Sequence, residues 1–136
     1  MIQKYFSHVL TVSGLVTMLP LAQFFAPTQV LAASQLQIGD AVGLLYAQHW
    51  GLLAFCFGAL LLYAAKHPEH RQPVVLAAGL EKLGLCVLVA LGWSNPALQG
   101  LHPVLWVDGL MVVLYAWWWF APKPSSAPPP EQQRHQ

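Results

Sequence analysis

The sequence predicts an all-α polytopic membrane protein: a four-transmembrane-helix bundle with short loops and a disordered Pro-rich C-terminal tail. Two observations carry this reading. Four apolar stretches are each long enough to cross a hydrocarbon layer ~30 Å thick at a rise of 1.5 Å per residue. In addition, 57% of the 136 residues are hydrophobic and only 8% are charged, against about 25% charged in a soluble domain. So few charges cannot cover a water-soluble globule. Backbone groups in lipid must be satisfied within the segment or in a closed barrel. The apolar runs are continuous rather than alternating, which selects helices.

The first span is read at 9–25, after Lys4 and His8, with Pro20 placed to kink or end it. The second is read at 41–65, with Asp40 in position to cap its start and Lys66-His67-Pro68 to stop it. The third is read at 73–93 and the fourth at 103–120, each opening on a proline that a first helical turn tolerates. Together they make one domain over 1–121. The remainder, 122–136, is rich in Pro, Ser and Gln and is expected to stay disordered. A different reading of the N-terminus is a signal peptide, with small residues near Val30-Leu31-Ala32-Ala33 as the cleavage region. Its apolar run is long for that purpose, and cleavage would leave three spans in the same orientation.

Orientation follows from the basic residues. Lys4 precedes span one, Lys66 and Arg71 lie between spans two and three, and Lys123 and Arg134 follow span four. The loops at 26–40 and 94–102 contain no Lys or Arg. The cation-rich side is the cytoplasmic one, so both termini are expected in the cytoplasm. Trp117, Trp118 and Trp119 then fall at the cytoplasmic boundary, and Trp93 and Trp106 at the outer one, as interface anchors.

Ionisable residues inside spans are expensive and need partners, water or neutralisation. Here they are His49, Glu81, Lys82 and Asp108, read as an intramembrane polar pocket. Counted from the nearest span ends, Glu81 and Lys82 lie ~12–14 Å in from the cytoplasmic side. His49 is ~24 Å from that side, and Asp108 ~7–8 Å from the outer one. This places His49 level with Asp108 and predicts a hydrogen-bonded pair between spans two and four. Glu81 and Lys82, ~100° apart on their helix, would lock span three to its neighbours. Small residues Gly51, Gly58, Ala78 and Gly84 are expected at helix contacts, Gly51 and Gly58 on one face.

Cys56 and Cys86 lie in apolar runs at different depths, without CxxC or Cys/His spacing, and read as small buried hydrophobes. His67 and His70 flank Glu69 in a basic loop and read as solvated. No metal site and no cofactor follow. No HExxH, Gly-rich phosphate loop or nucleophile motif occurs, so no catalytic residue is assigned. A net charge of +1 gives no reason to expect nucleic acid. The expected partners are membrane lipids, and beyond them a second copy or another membrane subunit.

The run QHWGLLAFCFGALLLYAA from Gln48, the loop KHPEHRQP, then VVLAAGLEKLG and WVDGLMVVLYAWW resemble small DoxX-like bacterial membrane proteins. The positions that carry the resemblance are His49-Trp50-Gly51, Glu81-Lys82 and Asp108-Gly109. The resemblance covers most of the chain but not the Pro-rich tail. It implies a four-helix fold in a bacterial inner membrane and little about activity, although some relatives are linked to oxidoreductase or respiratory complexes. On the sequence, the first functional expectation is an accessory or structural component of a membrane complex. The second is a small oligomeric proton-coupled carrier or permease.

Overall fold

The computed structural model describes residues 2–122, with side chains from Tyr5 onward. The disordered tail expected at 122–136 therefore falls, apart from Pro122, outside the described residues. Every element among the described residues is helical. Helix α1 spans Ile2–Met18 and passes through a 3-10 turn at Leu19–Leu21 into the short α2, Ala22–Phe25. Next come α3 (Pro27–Ala33), α4 (Ala41–Lys66), α5 (Arg71–Leu91) and α6 (His102–Phe120). Four helical stretches are long and apolar enough to cross a membrane: Tyr5–Phe25, Ala41–Lys66, Pro68–Leu91 and Pro96–Phe120.

Local chemistry accounts for the ends. Asp40 caps α4, accepting from the Gly43 backbone N–H at 2.5 Å. His67 ends that helix ahead of Pro68. Pro20 removes a backbone donor, and the chain tightens to a 3-10 turn there before resuming α-helix at Ala22. Asn95 accepts from the Ala97 N–H at 3.0 Å and opens a 3-10 turn over Pro96–Leu101 that leads into α6.

The helices form an up-down-up-down ring in which α1 packs on α4, α4 on α5, and α5 on α6, with α6 returning to α1. The antiparallel run of α1 against α4 is fixed at both ends. Ser7 Oγ donates to the Ala65 carbonyl at 2.6 Å, and Gln48 Nε2 donates to the Phe24 carbonyl at 3.1 Å. Close approach between them depends on glycine. A Cβ on Gly58 would lie 2.6 Å from the Gly14 carbonyl oxygen, and one on Gly51 would lie 2.5 Å from that of Pro20. Ala78 is fully buried. Gly84 departs from its expected packing role: nothing lies within 4 Å of where its Cβ would be, and it faces outward.

The tight core lies at the end where α1 and α5 begin and α4 and α6 finish. It holds Phe6, Leu10, Leu61, Ala64, Val75, Met111, Tyr115 and Trp118. Trp118 was expected among the interface anchors. It turns inward instead, only 7% exposed, with its ring stacked on Phe6 at a centroid distance of 4.5 Å. Three consecutive helical side chains point ~100° apart, so they cannot share one outward face. Trp117 and Trp119 point out, as do Trp93 and Trp106. Many other large apolar side chains, Leu91 and Phe120 among them, are also exposed on the outside of the ring.

Arg71 occupies the same end. It is 3% exposed, and its guanidinium donates to the carbonyls of Ala64 and Ala65 at 3.0 and 2.9 Å. These carbonyls belong to the last turn of α4, which has no intrahelical donors for them. A residue read from the sequence as a loop cation is thus a buried C-terminal cap.

Candidate functional site

The other half of the ring is looser. The change of helix type at Pro20 and the excursion through α3 keep this end from closing as tightly as the aromatic core. A cavity of about 340 Å³ opens there, between the helices and under the connecting segments. Span one contributes Val16, Thr17, Leu19, Pro20 and Gln23, and α4 contributes Trp50 and Ala54. The α3 segment contributes Val30, Ser34 and Leu36 as a roof, beside Gly100 and Leu101 from the turn before α6. The carbonyl of Ser34 sits against Gly100 so closely that a side chain there would collide with it. Helix α6 adds Pro103, Val104, Val107 and Asp108, and α5 adds Glu81 and Lys82.

The charged centre of this wall is an ion pair. Lys82 Nζ donates to Asp108 Oδ1 at 2.7 Å, with the two side chains only 4% and 10% exposed. One turn further along, Cys86 Sγ contacts the Leu105 carbonyl at 3.7 Å in the same antiparallel register. The expected pair of His49 with Asp108 is not what the fold makes. Asp108 is taken by Lys82, and His49 lies exposed on the outside of α4. The reason is a matter of counting. Lys82 is eleven residues after the start of α5 at Arg71, and Asp108 is twelve before the end of α6 at Phe120. Both are ~16–18 Å from the same end of the bundle. Depths counted from opposite boundaries separate them artificially. His49, seventeen residues before Lys66, lies ~25 Å from that end, about a turn and a half beyond the pair. Its neighbour Trp50, ~100° round the helix, is the one that reaches the cavity.

Glu81 borders the same cavity but is not in the ion pair, and its Oε2 is buried without a hydrogen-bond partner. Thr17 Oγ1 and Gln23 Oε1 are also buried without partners, in residues that are each 6% exposed and line the cavity. Buried polar atoms are normally satisfied, and an orphan costs about 1–3 kcal/mol. Three such atoms border one space.

Of the four ionisable residues singled out in the sequence, the fold brings together Glu81, Lys82 and Asp108 and leaves His49 outside. Thr17, Gln23 and Trp50 were not anticipated. Thr17 and Gln23 are neutral and flank Pro20 at a spacing of six. The available signal was polar residues on either side of a proline late in the first span, where freed backbone groups and a widened groove are expected.

Compared with known proteins, the chain matches no family model, no curated protein and no solved structure.

Proposed function

We propose that this chain is a multi-pass protein of the bacterial cytoplasmic membrane, with both termini inside, that binds a small ligand in an intramembrane cavity. Occupancy of that cavity is coupled to the protonation of Glu81, as in a small carrier. The single observation behind this reading is the cavity itself. It holds a half-buried carboxyl outside the ion pair, with one oxygen buried and unpartnered, two further orphan polar side chains and mostly apolar walls. The pair itself is nearly closed off, its side chains 4% and 10% exposed; the open volume lies beside it, against Glu81, Thr17 and Gln23. The orientation rests on Lys66 and Arg71 lying at the end where α1 begins and α6 finishes. The resemblance to DoxX-like proteins agrees with the bacterial inner membrane.

Cysteine accessibility tests the reading. In a Cys56→Ala/Cys86→Ala background, Thr17→Cys is expected to react with a small aqueous thiol reagent in intact membranes. Leu10→Cys, on the same helix but fully buried in the aromatic core, is expected to stay inert. Equal inertness at both positions would overturn the reading.

A second reading, an accessory subunit packed against another membrane protein, has its own support. Gly84 on α5 and Gly109 on α6 have no neighbour within 4 Å of a Cβ position, leaving bare backbone where a foreign helix could approach closely. Crosslinking from Gly84→Cys to a second polypeptide in native membranes would favour it.

A further inference from the structure

From the charge balance of the cavity we infer that its ligand is a small monovalent organic cation, an amine or quaternary ammonium with an apolar body, which exchanges with a proton on Glu81. The inference rests on the binding-pocket reading above and names its ligand class.

The ionisable residues lining the cavity are Glu81, Lys82 and Asp108. Fully ionised, they sum to one negative charge. Lys82 and Asp108 cancel within their 2.7 Å pair, and the uncancelled charge falls on Glu81. A half-buried carboxylate outside the pair, with one oxygen buried and unpartnered, is costly in such surroundings without a counter-charge of its own. Either a proton neutralises it or a cation does, and the two compete for the same oxygen. The ion pair serves this economy by keeping Asp108 occupied, so that the cavity demands one positive charge rather than two.

The other groups facing Glu81 do not alter the balance. Within electrostatic reach of Glu81 are Lys82 and Cys86 on its own helix and Asp108 and Tyr115 on α6. Span one, α3 and α4 present no titratable side chain to the cavity, only Thr17, Gln23, Ser34 and Trp50 among their polar or aromatic groups.

The walls select among cations. A metal ion would want several oxygens converging on one point, and no cluster of metal-binding side chains occurs among the described residues. The lining is instead mostly aliphatic, with one indole from Trp50. That surface suits an apolar body with a diffuse positive charge, to which an aromatic face adds attraction. A volume of about 340 Å³ lies at the low end for ligand pockets, so the cation is small. Gln23 Oε1 and Thr17 Oγ1, both without partners, can accept from the N–H of an amine cation or contact the positively polarised methyl groups of a quaternary one. The exchange balances simply: one cation enters and docks on the carboxylate, and the one proton displaced from Glu81 passes to water.

The test uses the full-length protein in lipid nanodiscs with phenyltrimethylammonium as the probe. Its uncharged carbon isostere, tert-butylbenzene, serves as the control. Expected is saturable binding of the cation, one per chain, with release of one proton where Glu81 is protonated. Below the midpoint of the carboxyl, each unit of acidification should weaken binding about tenfold. Glu81→Gln should weaken the cation at least about tenfold and abolish the pH dependence while leaving tert-butylbenzene binding intact, which shows the variant folded. Glu81→Asp should retain the pH dependence. Binding of tert-butylbenzene without the cation, or cation binding indifferent to pH and to Glu81→Gln, would overturn the inference and leave the pocket reading standing. Failure of both probes, together with an inert Thr17→Cys, would remove the pocket reading itself.

Discussion

Lys82 of α5 and Asp108 of α6 meet at 2.7 Å in the interior of the ring, from helices that run in opposite directions and are joined at the far end. That pair links the last two helices in antiparallel register, and it leaves Glu81 as the nearby carboxyl outside it.

Breaking the pair from one side should be costly. Lys82→Met leaves Asp108 as an unpaired buried charge and should destabilise the protein by about 3–5 kcal/mol. Asp108→Leu should do the same for Lys82. The double variant Lys82→Met/Asp108→Leu removes both charges and should recover most of that loss. Unfolding in mixed detergent micelles measures all three. A double variant as unstable as the sum of the singles would argue that the two side chains act independently.

Gly58 should tolerate no side chain. Gly58→Val would drive its Cβ onto the Gly14 carbonyl oxygen at 2.6 Å, and α1 would have to move off α4. A loss of about 1–3 kcal/mol is expected from overpacking of this kind. Disulfide formation between Ser7→Cys and Ala65→Cys should slow in parallel, since their parents are joined by the 2.6 Å hydrogen bond. Gly84→Val, facing open space, should leave both readouts near wild type in the isolated protein.

Arg71 should behave as a cap and not as a loop charge. Arg71→Met removes two donors from the last turn of α4. Hydrogen bonds from charged donors are worth about 1.5–3 kcal/mol, so a drop of at least about 2 kcal/mol is expected. Neutralising Lys66, which is exposed, should change stability by less than about 0.5 kcal/mol. The two variants compared in the same micelle titration check this.

Cys56 offers a test of the solvent around the bundle. It is exposed on the side of α4, ten residues from Lys66 and so ~15 Å from that end. In a membrane it should resist an aqueous maleimide and react with a lipid-soluble one. Ready labelling by the aqueous reagent in intact vesicles would contradict lipid on that face.

The four long helices, the Asp40 cap, the stop at His67 and the break at Pro20 were legible in the sequence because each depends on neighbours within a few residues. Glu81, Lys82 and Asp108 stood out as ionisable groups in apolar runs, and the fold gathers them along one cavity. Ala78, Gly51 and Gly58 were legible as contact positions for the same reason: a small side chain in a greasy helix has few other uses. Gly84 shows the limit of that logic, because composition does not say which face meets a neighbour.

The partnerships belonged to the tertiary structure. Which residue meets Asp108 depends on where two helices end relative to each other, and depth counted from opposite boundaries carries an error of several residues. Whether Trp118 faces in or out depends on the rotation of α6 against α1, which the indole stack on Phe6 settles. The cavity depends on how span one, α4, α5 and α6 stand apart beneath the 26–40 segment, so that Thr17, Gln23, Trp50 and Glu81 line one space. Short-range chemistry and hydrophobic length determine the elements from the chain alone. Register, rotation and enclosed space are relations between segments far apart in sequence, and only packing fixes them.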